Sequence, residues 1–488
     1  MPDGMEKIEH LVIFMMENRS FDHYLGSLSL VEGRTDVEGL QAGMTLPDQN
    51  GAPVPIRNLD GNGNTVPLAV ADGIYCNYLD PDHGWVPQHH NYDNGLNDGF
   101  VKQYQQTMAN NPDAVQKFPN TQIDIPVGYY TRATLPVLYA LADRFTLCDH
   151  WFSSLLSSTW PNRKYLHSGV RDDDNDTQTL PPFPGFETTP LYNVLEDTRD
   201  PVSGNNWTWK SYFSDLPFLA FWYKFAAFHA FRNFTSIDNF VHDCREDALP
   251  TVSIIDPAFS LADDHPSHDV RLGQKFIGLI VDALTHSESW AKTALVLLYD
   301  ENGGFYDHVE PPTAFEVEAG QPPFTDKNGF TDDQLGFRVP ALVISPYPVR
   351  QRDGQATNVC KTVFDHTSIL KSIQMRWGGS FNTPNFGTRW QYAPDIWSTC
   401  FDFDQDPLPM GTYTQPAADV ANNVPSPMQG INWGMGIHDL LTSPIGSLEA
   451  LLERIFLLPG LKALDQRAQV FDNLSAMEQS IITLKRMT

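Results

Sequence analysis

Two clusters of the sequence place acidic and amide side chains directly after short apolar runs. Glu17 and Asn18 form the first cluster, and Asp300 and Glu301 form the second. Carboxylate and amide oxygens are the ligands that hard divalent cations prefer. Adjacent carboxylates at a buried strand end repel each other unless a cation or a proton compensates. These residues therefore predict a cation site, although Asn18 or Ser20 could instead cap a helix.

A third cluster combines hydroxyl groups with a helix-start signal in the segment 157–163, SSTWPNR. Pro161 suits the first turn of a helix, so Thr159 would stand at the helix N-terminus. There the helix dipole and the free N–H groups stabilise an oxyanion or a phosphate. Taken alone, the cluster favours an ordinary threonine cap over a reactive hydroxyl.

Histidines supply candidate acid–base groups. His265 and His268 lie three residues apart in the acidic segment 263–269. This spacing suits metal ligation or proton transfer, but an acidic surface loop can carry it too. Further single candidates are His83, His89, His308 and His366. Taken singly, each of these is more often structural than catalytic.

Four apolar runs predict the strands that position these groups. The runs are apolar on both faces and end abruptly in polar residues, as buried parallel strands do; they cover residues 11–16, 251–255, 294–299 and 339–345. The i, i+4 apolar repeat over 269–287 predicts a helix between two of them. Strands that alternate with helices predict an α/β fold, in which ligands bind beyond the carboxyl ends of the strands. Glu17, Asp256 and Asp300 lie at such ends.

The charge balance excludes some classes of partner. The 488 residues contain 32 Lys and Arg against 60 Asp and Glu, a net charge of −28. Nucleic-acid binding and docking on anionic membranes need clustered basic residues, so neither is expected. Phosphate chemistry stays open, because a bound metal can reverse the field inside one cleft.

The cysteine spacing and the hydropathy of the chain argue against a disulfide-rich protein and against a membrane-spanning one. The five cysteines are spread along the chain without CxxC spacing, which disfavours a disulfide scaffold and a four-cysteine zinc site but leaves one or two bridges open. No apolar run reaches about 18 residues, so no transmembrane helix is expected. The N-terminus lacks the apolar core of a signal peptide. The sequence therefore fits an intracellular protein or an exported one whose leader has been removed.

Loops and insertions are expected where Gly, Pro, Asn and Asp accumulate. These segments are 41–66, 171–206, 311–335 and 402–430, and helices are expected over 447–457 and 467–487. The segment 207–240 is strongly aromatic. It could pack as a subdomain against the core, or it could form a wall for an apolar leaving group or a lipid interface.

Taken together, the motifs resemble one protein family over about residues 8–377. They are ENRSFDH, DPDHGW, TWPNR, HPSHD, DENGGFYDH, RVPALVISP and FDHTSILK. In this order they resemble the phosphoesterase family of bacterial phospholipases C, plant non-specific phospholipases C and related acid phosphatases. The resemblance implies an alkaline-phosphatase-like α/β fold, with a mostly parallel central sheet sandwiched by helices and with loop insertions. We also expect a catalytic domain over 1–400 that includes an aromatic-rich insertion near 207–240, and a C-terminal loop and helical extension over 401–488 packed on the same domain.

The resemblance also implies roles for individual residues. The implied metal ligands are Glu17, Asn18, Thr159, Asp300 and Glu301. The implied catalytic residues are Thr159 as nucleophile, with Asn18, His265, His308 and His366. The implied substrate-binding residues are Asn18, His83, His89, Asn162 and Arg163. The sequence departs from many relatives at Asn302, where they have His. The oxygen-rich ligand set suits Mg2+, Mn2+ or Ca2+, and nearby His residues would admit Zn2+.

These roles predict metal-assisted hydrolysis of a phosphate ester through a phosphothreonine at Thr159. His265 or His366 would protonate the leaving group. The scarcity of basic residues favours a singly charged diester, hence phospholipase C-type cleavage of a phospholipid or a small phosphate ester. A phosphomonoesterase of the acid phosphatase type is the alternative, and a phospho-ligand binding protein without turnover is a more remote one. The sequence does not indicate an oligomeric state.

Overall fold

The computed structural model describes most of the chain up to residue 416. The described residues are 2–47, 53–55, 58–171, 185–196, 198–199, 206–229, 232–352, 354–378, 386–414 and 416. The helices predicted over 447–457 and 467–487 lie outside these residues. Within the described part of the chain, no helix is long and apolar enough to cross a bilayer.

An eight-stranded sheet forms the centre of the fold. From one edge to the other, its strands are β10 (Phe234–Ser236), β9 (Trp209–Phe213), β11 (Val252–Asp256), β1 (His10–Met16), β12 (Thr293–Tyr299), β13 (Ala341–Ile344), β8 (Thr146–Cys148) and β16 (Val359–Cys360), numbered in chain order. β13 is antiparallel to both of its neighbours, and every other pairing in this sheet is parallel. The predicted mostly parallel α/β sheet is therefore confirmed.

Eight shorter strands pair into two-stranded sheets outside this centre. They are β2 (Thr45–Pro47) with β3 (Pro53–Pro55), β4 (Asn58–Leu59) with β5 (Thr65–Val66), β6 (Ala69–Val70) with β7 (Gly128–Tyr129), and β14 (Gln351–Arg352) with β15 (Gln355–Ala356). The first two pairs lie within 41–66, one of the segments predicted as a loop or insertion.

Thirteen α-helices are described, and the longer ones cover the sheet. In chain order, α1 to α13 are Phe21–Leu25, Ser27–Leu30, Trp85–Tyr92, Phe100–Asn110, Pro112–Lys117, Pro136–Arg144, Thr159–Ser168, Leu191–Glu196, Tyr223–His229, Ile237–Arg245, Val270–Thr285, Phe315–Glu318 and Thr367–Trp377. α11 packs with α6 and α10, whereas α7 packs with α13. Every residue of β12 is buried, which requires that helices cover both faces of the sheet.

The central strands and α11 follow directly from the residue pattern. The apolar residues of β1 pair in parallel with β11 on one side and with β12 on the other. The predicted helix over 269–287 is α11, and the side chain of its cap, Asp269, accepts a hydrogen bond from the N–H of Arg271 at 3.0 Å. The buried face of α11 then packs on the sheet through residues such as Phe276, whose ring meets Phe14 edge to face.

The aromatic segment 207–240 contributes to the main sheet. β9 and β10 both lie in this segment, at one edge of the sheet. Most of its described rings are buried in the main core, with Trp209 stacked on Phe225. Trp207, Phe213 and Phe234 are partly buried, and Phe228 is 73% exposed. These contacts favour the packing interpretation of the segment over a wall that faces a ligand.

Candidate active site

Three buried carboxylates meet beyond the carboxyl ends of neighbouring strands. Asp256 is the last residue of β11, Glu17 directly follows β1, and Asp300 directly follows β12. Arg163, from the second turn of α7, reaches all three. Its guanidinium nitrogens lie 3.2 Å from Glu17 Oε1, 3.2 Å from Asp300 Oδ2 and 3.6 Å from Asp256 Oδ1. One buried cation thus binds together the ends of three strands.

Asn18 turns the chain at the end of β1 so that it faces Asp300. Its backbone has a positive φ of 59°, which Asn tolerates better than most residues. Its N–H donates to Asp300 Oδ1 at 2.9 Å, and the N–H of Glu301 donates to the same oxygen at 2.7 Å. A Cβ on Gly303 would lie 2.1 Å from the carbonyl oxygen of Asn18. Glycine is therefore needed at 303 for the two segments to approach.

Thr159 is brought to Asn18 at the start of α7. Thr159 is the first residue of the helix and is 4% exposed. Its hydroxyl donates to Asn18 Oδ1 at 3.4 Å. The first N–H groups of a helix lack partners within the helix, and the dipole makes this end partly positive. The predicted nucleophile thus stands where negative charge is stabilised.

Asn162 holds the loop that precedes Thr159. Its Oδ1 accepts from the N–H of Leu155 at 2.9 Å, and its Nδ2 donates to the carbonyl oxygens of Ser157 and Ser158 at 2.9 and 3.0 Å. The side-chain amide is fully buried. Asn162 therefore positions the Thr159 loop, and the substrate contact assigned to it stays a prediction.

His83 and Glu301 approach Asn18 from opposite segments. Asn18 Nδ2 lies 3.0 Å from His83 Nε2, and the same ring nitrogen lies 3.8 Å from Glu301 Oε1. Burial raises the pKa of Glu301 to about 8, although the nearby His83 opposes this shift. Burial works against a proton on His83, but the carboxylates of Glu301 and Asp80 raise its pKa to about 10. The two groups therefore stabilise each other as an ion pair.

Sequence reasoning missed Gln88, which lies on α3. Its Nε2 donates to Glu301 Oε2 at 3.2 Å and also to Asn302 Oδ1. Asn302, the position at which the chain departs from many relatives, in turn donates to the carbonyl oxygen of Phe305 at 2.8 Å. No local pattern marks Gln88, because its relevance depends on the docking of α3 against the segment after β12.

Asp80, His83 and His265 form a second group around the site. Their ligand atoms all lie within 4.8 Å of one another. His265 Nε2 lies 3.9 Å from Asp80 Oδ2 and has no hydrogen-bond partner. Burial lowers the pKa of His265 well below its usual range, and His268 and His83 add to this effect. Burial also raises the pKa of Asp80 to about 7. Asp80 belongs to the DPDHGW motif, but no role was predicted for it from the sequence.

His366 is engaged at both ring nitrogens. Nε2 lies 2.6 Å from the backbone carbonyl oxygen of Asp300, and Nδ1 accepts from the indole of Trp151 at 3.3 Å. Burial lowers the pKa of His366 to about 4, so the ring is neutral near pH 7. These contacts fix the backbone at Asp300.

His308 and His89 lie in other surroundings. His308 Nδ1 lies 2.6 Å from Asp22 Oδ2, within a buried network in which Arg338 also binds Asp22. His89 lies between the carbonyl oxygens of Trp85 and Thr331, at 2.7 and 3.0 Å, and lines a separate pocket of about 710 Å³. Their assigned roles stay predictions.

The carboxylate oxygens at this edge of the sheet are of the type that divalent cations bind. Asp263 Oδ2 and Glu301 Oε1 are buried without a hydrogen-bond partner, and Glu17 Oε1 has its ion pair with Arg163 at 3.2 Å. Burial raises the pKa of Glu17 well above its usual range, so its charge needs a cation or a proton. Arg163 supplies part of that charge. Glu17, Asp300 and Glu301 are not among the described acidic and histidine groups whose ligand atoms converge within 4.8 Å. Two groups of acidic and histidine side chains that could hold a metal are nonetheless present, namely Asp80 with His83 and His265, and Asp22 with Asp307 and His308.

Comparison with known proteins identifies the family. Residues 8–379 match the Phosphoesterase family. The chain belongs to the phosphoesterase family. It is 34% identical over 462 residues to "Phospholipase C B" of Mycobacterium tuberculosis, covering 84% of this chain and 80% of the relative. It is 30% identical over 417 residues to "Non-specific phospholipase C3" of Arabidopsis thaliana, covering 81% and 73%.

The family assignment makes this phosphoesterase a hydrolase of phosphoric ester bonds, which confirms the resemblance stated from the motifs. "Hemolytic phospholipase C" of Pseudomonas aeruginosa is a further relative, 29% identical over 427 residues, with 77% of this chain and 53% of the relative covered. A solved structure of a protein in the alkaline phosphatase superfamily from Vibrio parahaemolyticus aligns with 53% of this chain and 64% of its own, at 12% identity and a TM-score of 0.31.

Proposed function

We propose that this phosphoesterase cleaves phospholipids or similar phosphodiesters in the manner of a phospholipase C, through a phosphothreonine at Thr159. The observation that carries the proposal is the 3.4 Å contact between the Thr159 hydroxyl and Asn18 Oδ1, at a helix N-terminus that faces buried carboxylates. Relatives named phospholipase C in bacteria and plants support the diester as substrate.

The nucleophile needs activation, because a threonine hydroxyl is a weak nucleophile at neutral pH. A divalent cation, when held by Glu17, Asn18, Thr159, Asp300 and Glu301, would lower the pKa of the hydroxyl and offset the charge of the phosphate. Glu301 Oε1, which is buried without a hydrogen-bond partner, supports this set. The protein's own part is to orient Thr159, which Asn18 does directly.

Negative charge on the phosphate is stabilised by groups fixed before the substrate arrives. The N-terminus of α7 offers backbone N–H groups and the positive end of a ten-residue helix. The side-chain amide of Asn18 is held by Thr159 and His83, so it needs little reorganisation when charge develops.

His265 is the better candidate than His366 for protonating the leaving group. Both ring nitrogens of His366 are engaged, one of them with the carbonyl oxygen of Asp300. His265 Nε2 has no hydrogen-bond partner. Burial lowers the pKa of His265, so Nε2 must gain a proton before it can act as the acid. The negative charge of a bound phosphate would favour its reprotonation.

Arg163 supports a diester over a monoester. A monoester carries up to two charges and rewards free cationic groups in the site. Arg163 is the cation closest to Thr159 in sequence, and its guanidinium is already shared among Glu17, Asp256 and Asp300. A singly charged diester needs fewer free cationic groups in the site than a monoester does.

The direct test compares Thr159→Ala with Thr159→Ser. The alanine variant should fold normally and lose turnover, whereas the serine variant keeps a hydroxyl and should retain measurable activity. Near-normal activity of Thr159→Ala would exclude Thr159 as nucleophile. Two successive displacements also predict net retention of configuration with a chiral phosphate ester, so inversion would exclude a covalent intermediate.

Substrate class is tested by rates on three esters: p-nitrophenyl phosphate, p-nitrophenylphosphorylcholine and dispersed phosphatidylcholine. The proposal expects the two diesters to be preferred. A strong preference for p-nitrophenyl phosphate would instead make the protein a phosphomonoesterase.

A further inference from the structure

Three of the five cysteines meet two strands away from the carboxylates of the active site. Cys148 ends β8 and is the register partner of Cys360 in β16, while Cys400 approaches from the segment after α13. Their three sulfur atoms lie within 4.8 Å of one another, and Cys148 Sγ lies 3.7 Å from Cys400 Sγ. All three side chains are fully buried. The two closest sulfurs are thus in van der Waals contact.

Cys360 is the member of the group with charged and polar neighbours. The guanidinium of Arg352 donates to Cys360 Sγ at 4.0 Å, and Thr399 Oγ1 lies 3.5 Å from the same sulfur. Hydrogen bonds from the thiols of Cys148 and Cys400 lower the pKa of Cys360 well below its usual range. A thiolate is the reactive form of cysteine in exchange with disulfides.

A surface pocket adjoins the two side chains that cover this sulfur, although Cys360 itself is fully buried and does not line the pocket. The pocket has a volume of about 490 Å³ and is lined by Arg352 and Thr399, the two side chains that contact Cys360, together with Phe401. The pocket is large enough for part of a small peptide disulfide. The positive charge of Arg352, which contacts Cys360, would attract such a molecule when it is anionic, and Asp402 on the pocket wall would oppose this attraction.

We propose that Cys148, Cys360 and Cys400 form a thiol–disulfide site, at which a small anionic disulfide oxidises the protein and leaves a bond between Cys148 and Cys400. The proposal is independent of the phosphoester chemistry. It rests on the sulfur contacts and on the pocket whose lining residues Arg352 and Thr399 contact Cys360.

The steps balance as three successive exchanges. The Cys360 thiolate attacks one sulfur of the oxidant, forming a mixed disulfide and releasing one oxidant thiolate. Cys400 then loses its proton and attacks Cys360 Sγ, which expels the second oxidant thiolate. Cys148 loses its proton and attacks Cys400 Sγ, which restores the Cys360 thiolate. Two protein thiols are oxidised, one oxidant disulfide is reduced to two thiols, and the two protons go to those thiols.

The test uses the full chain, fully reduced and then incubated with oxidised glutathione. Cysteines are alkylated under denaturing conditions and mapped by mass spectrometry. We expect the free thiols to fall from five to three, with a peptide that links Cys148 to Cys400. The melting temperature should rise by several degrees, because the bond closes a long loop. A reductant should reverse both changes.

Serine variants distinguish the roles of the three cysteines. Cys148→Ser and Cys400→Ser should each abolish the expected bond. Cys360→Ser should still form it, but roughly tenfold more slowly, because an ordinary thiol is only a few per cent ionised at pH 7. Cys244→Ser is the matched control, since Cys244 is buried outside the group; it should oxidise like the parent protein. Phosphoester hydrolysis reports folding in every variant.

Arg352→Gln probes the pocket without changing a sulfur. It should slow oxidation by oxidised glutathione more than oxidation by a neutral small disulfide. Persistence of five free thiols would overturn the proposal, as would a bond that includes Cys360 at equilibrium. One tightly bound zinc per chain that is lost in Cys148→Ser would also overturn it and would make the group a metal site.

Discussion

Replacement of Asn162 by alanine separates two roles for this side chain. As a substrate ligand, Asn162 would contribute to binding, and its loss would raise KM. As the residue that positions the Thr159 loop, it would contribute to kcat and to stability. The hydrogen bonds of its amide to the backbone at 155, 157 and 158 predict the second outcome.

The expected loss of stability follows from the backbone groups that Asn162 serves. The variant removes the partner of the N–H of Leu155 and of the carbonyl oxygens of Ser157 and Ser158. At about 1 kcal/mol for each buried hydrogen bond, the free energy of unfolding should fall by about 3 kcal/mol. If the loop relaxes and moves the Thr159 hydroxyl by ~1 Å, kcat should fall about 100-fold.

Urea unfolding followed by tryptophan fluorescence measures the first quantity, and steady-state rates on p-nitrophenylphosphorylcholine measure the second. Asn358→Ala is the matched control. Asn358 is also buried, donates to the carbonyl oxygens of Ala142 and Phe145 at 2.6 and 2.5 Å, and accepts from Arg34 at 2.8 Å. This control should lose a similar amount of stability while keeping kcat.

The reasoning is refuted if Asn162→Ala raises KM and leaves both kcat and the free energy of unfolding unchanged. It is equally refuted if Asn358→Ala reduces kcat as much as Asn162→Ala does, because the effect would then come from general destabilisation.

Three further outcomes are expected. Arg163→Met should cost about 3–5 kcal/mol of unfolding free energy, because Glu17 and Asp300 lose their buried cation; an unchanged urea midpoint would contradict this. Burial lowers the pKa of His167 to about 3, so between pH 6.5 and 3 the unfolded chain binds a proton that the folded chain does not. Stability should therefore fall on acidification by up to about 1.4 kcal/mol per pH unit from this residue, and His167→Gln should flatten the slope by that amount, as urea titrations at pH 7, 6 and 5 would show. Chelation of divalent cations should abolish hydrolysis and lower the melting temperature. A cation added at 100 times its Kd should raise the free energy of unfolding by about 2.7 kcal/mol. Full activity in excess chelator would argue against a metal.

The strands nearest the site could be predicted from the sequence because burial on both faces leaves a continuous apolar run. This holds for β1, β11 and β12, whose ends carry the carboxylates. The two-residue strand β16 has too few residues to show a period. The antiparallel direction of β13 could not be predicted either, because an apolar run carries no information about strand direction.

Within the site, the positions of the carboxylates at the strand ends could be predicted, but the contacts that hold them could not. Glu17 and Asp300 are marked by their positions after apolar runs. Arg163 and Asn162 were assigned to the substrate from the resemblance, whereas their described contacts are with carboxylates and with backbone groups of the protein. Such contacts depend on tertiary packing, since Arg163 meets residues that are 146 positions before it (163 − 17) and 137 positions after it (300 − 163).

The bridge that Arg163 makes across three strand ends has a consequence for the nascent chain. Asp300 follows Glu17 by 283 positions (300 − 17), and β12 must pair with β1 before Asp300 can reach the N–H of Asn18. At roughly 5–20 residues per second, synthesis of that interval takes about 15–60 s. An N-terminal fragment that ends before β12 therefore has an incomplete site, so hydrolytic competence should appear only late in translation.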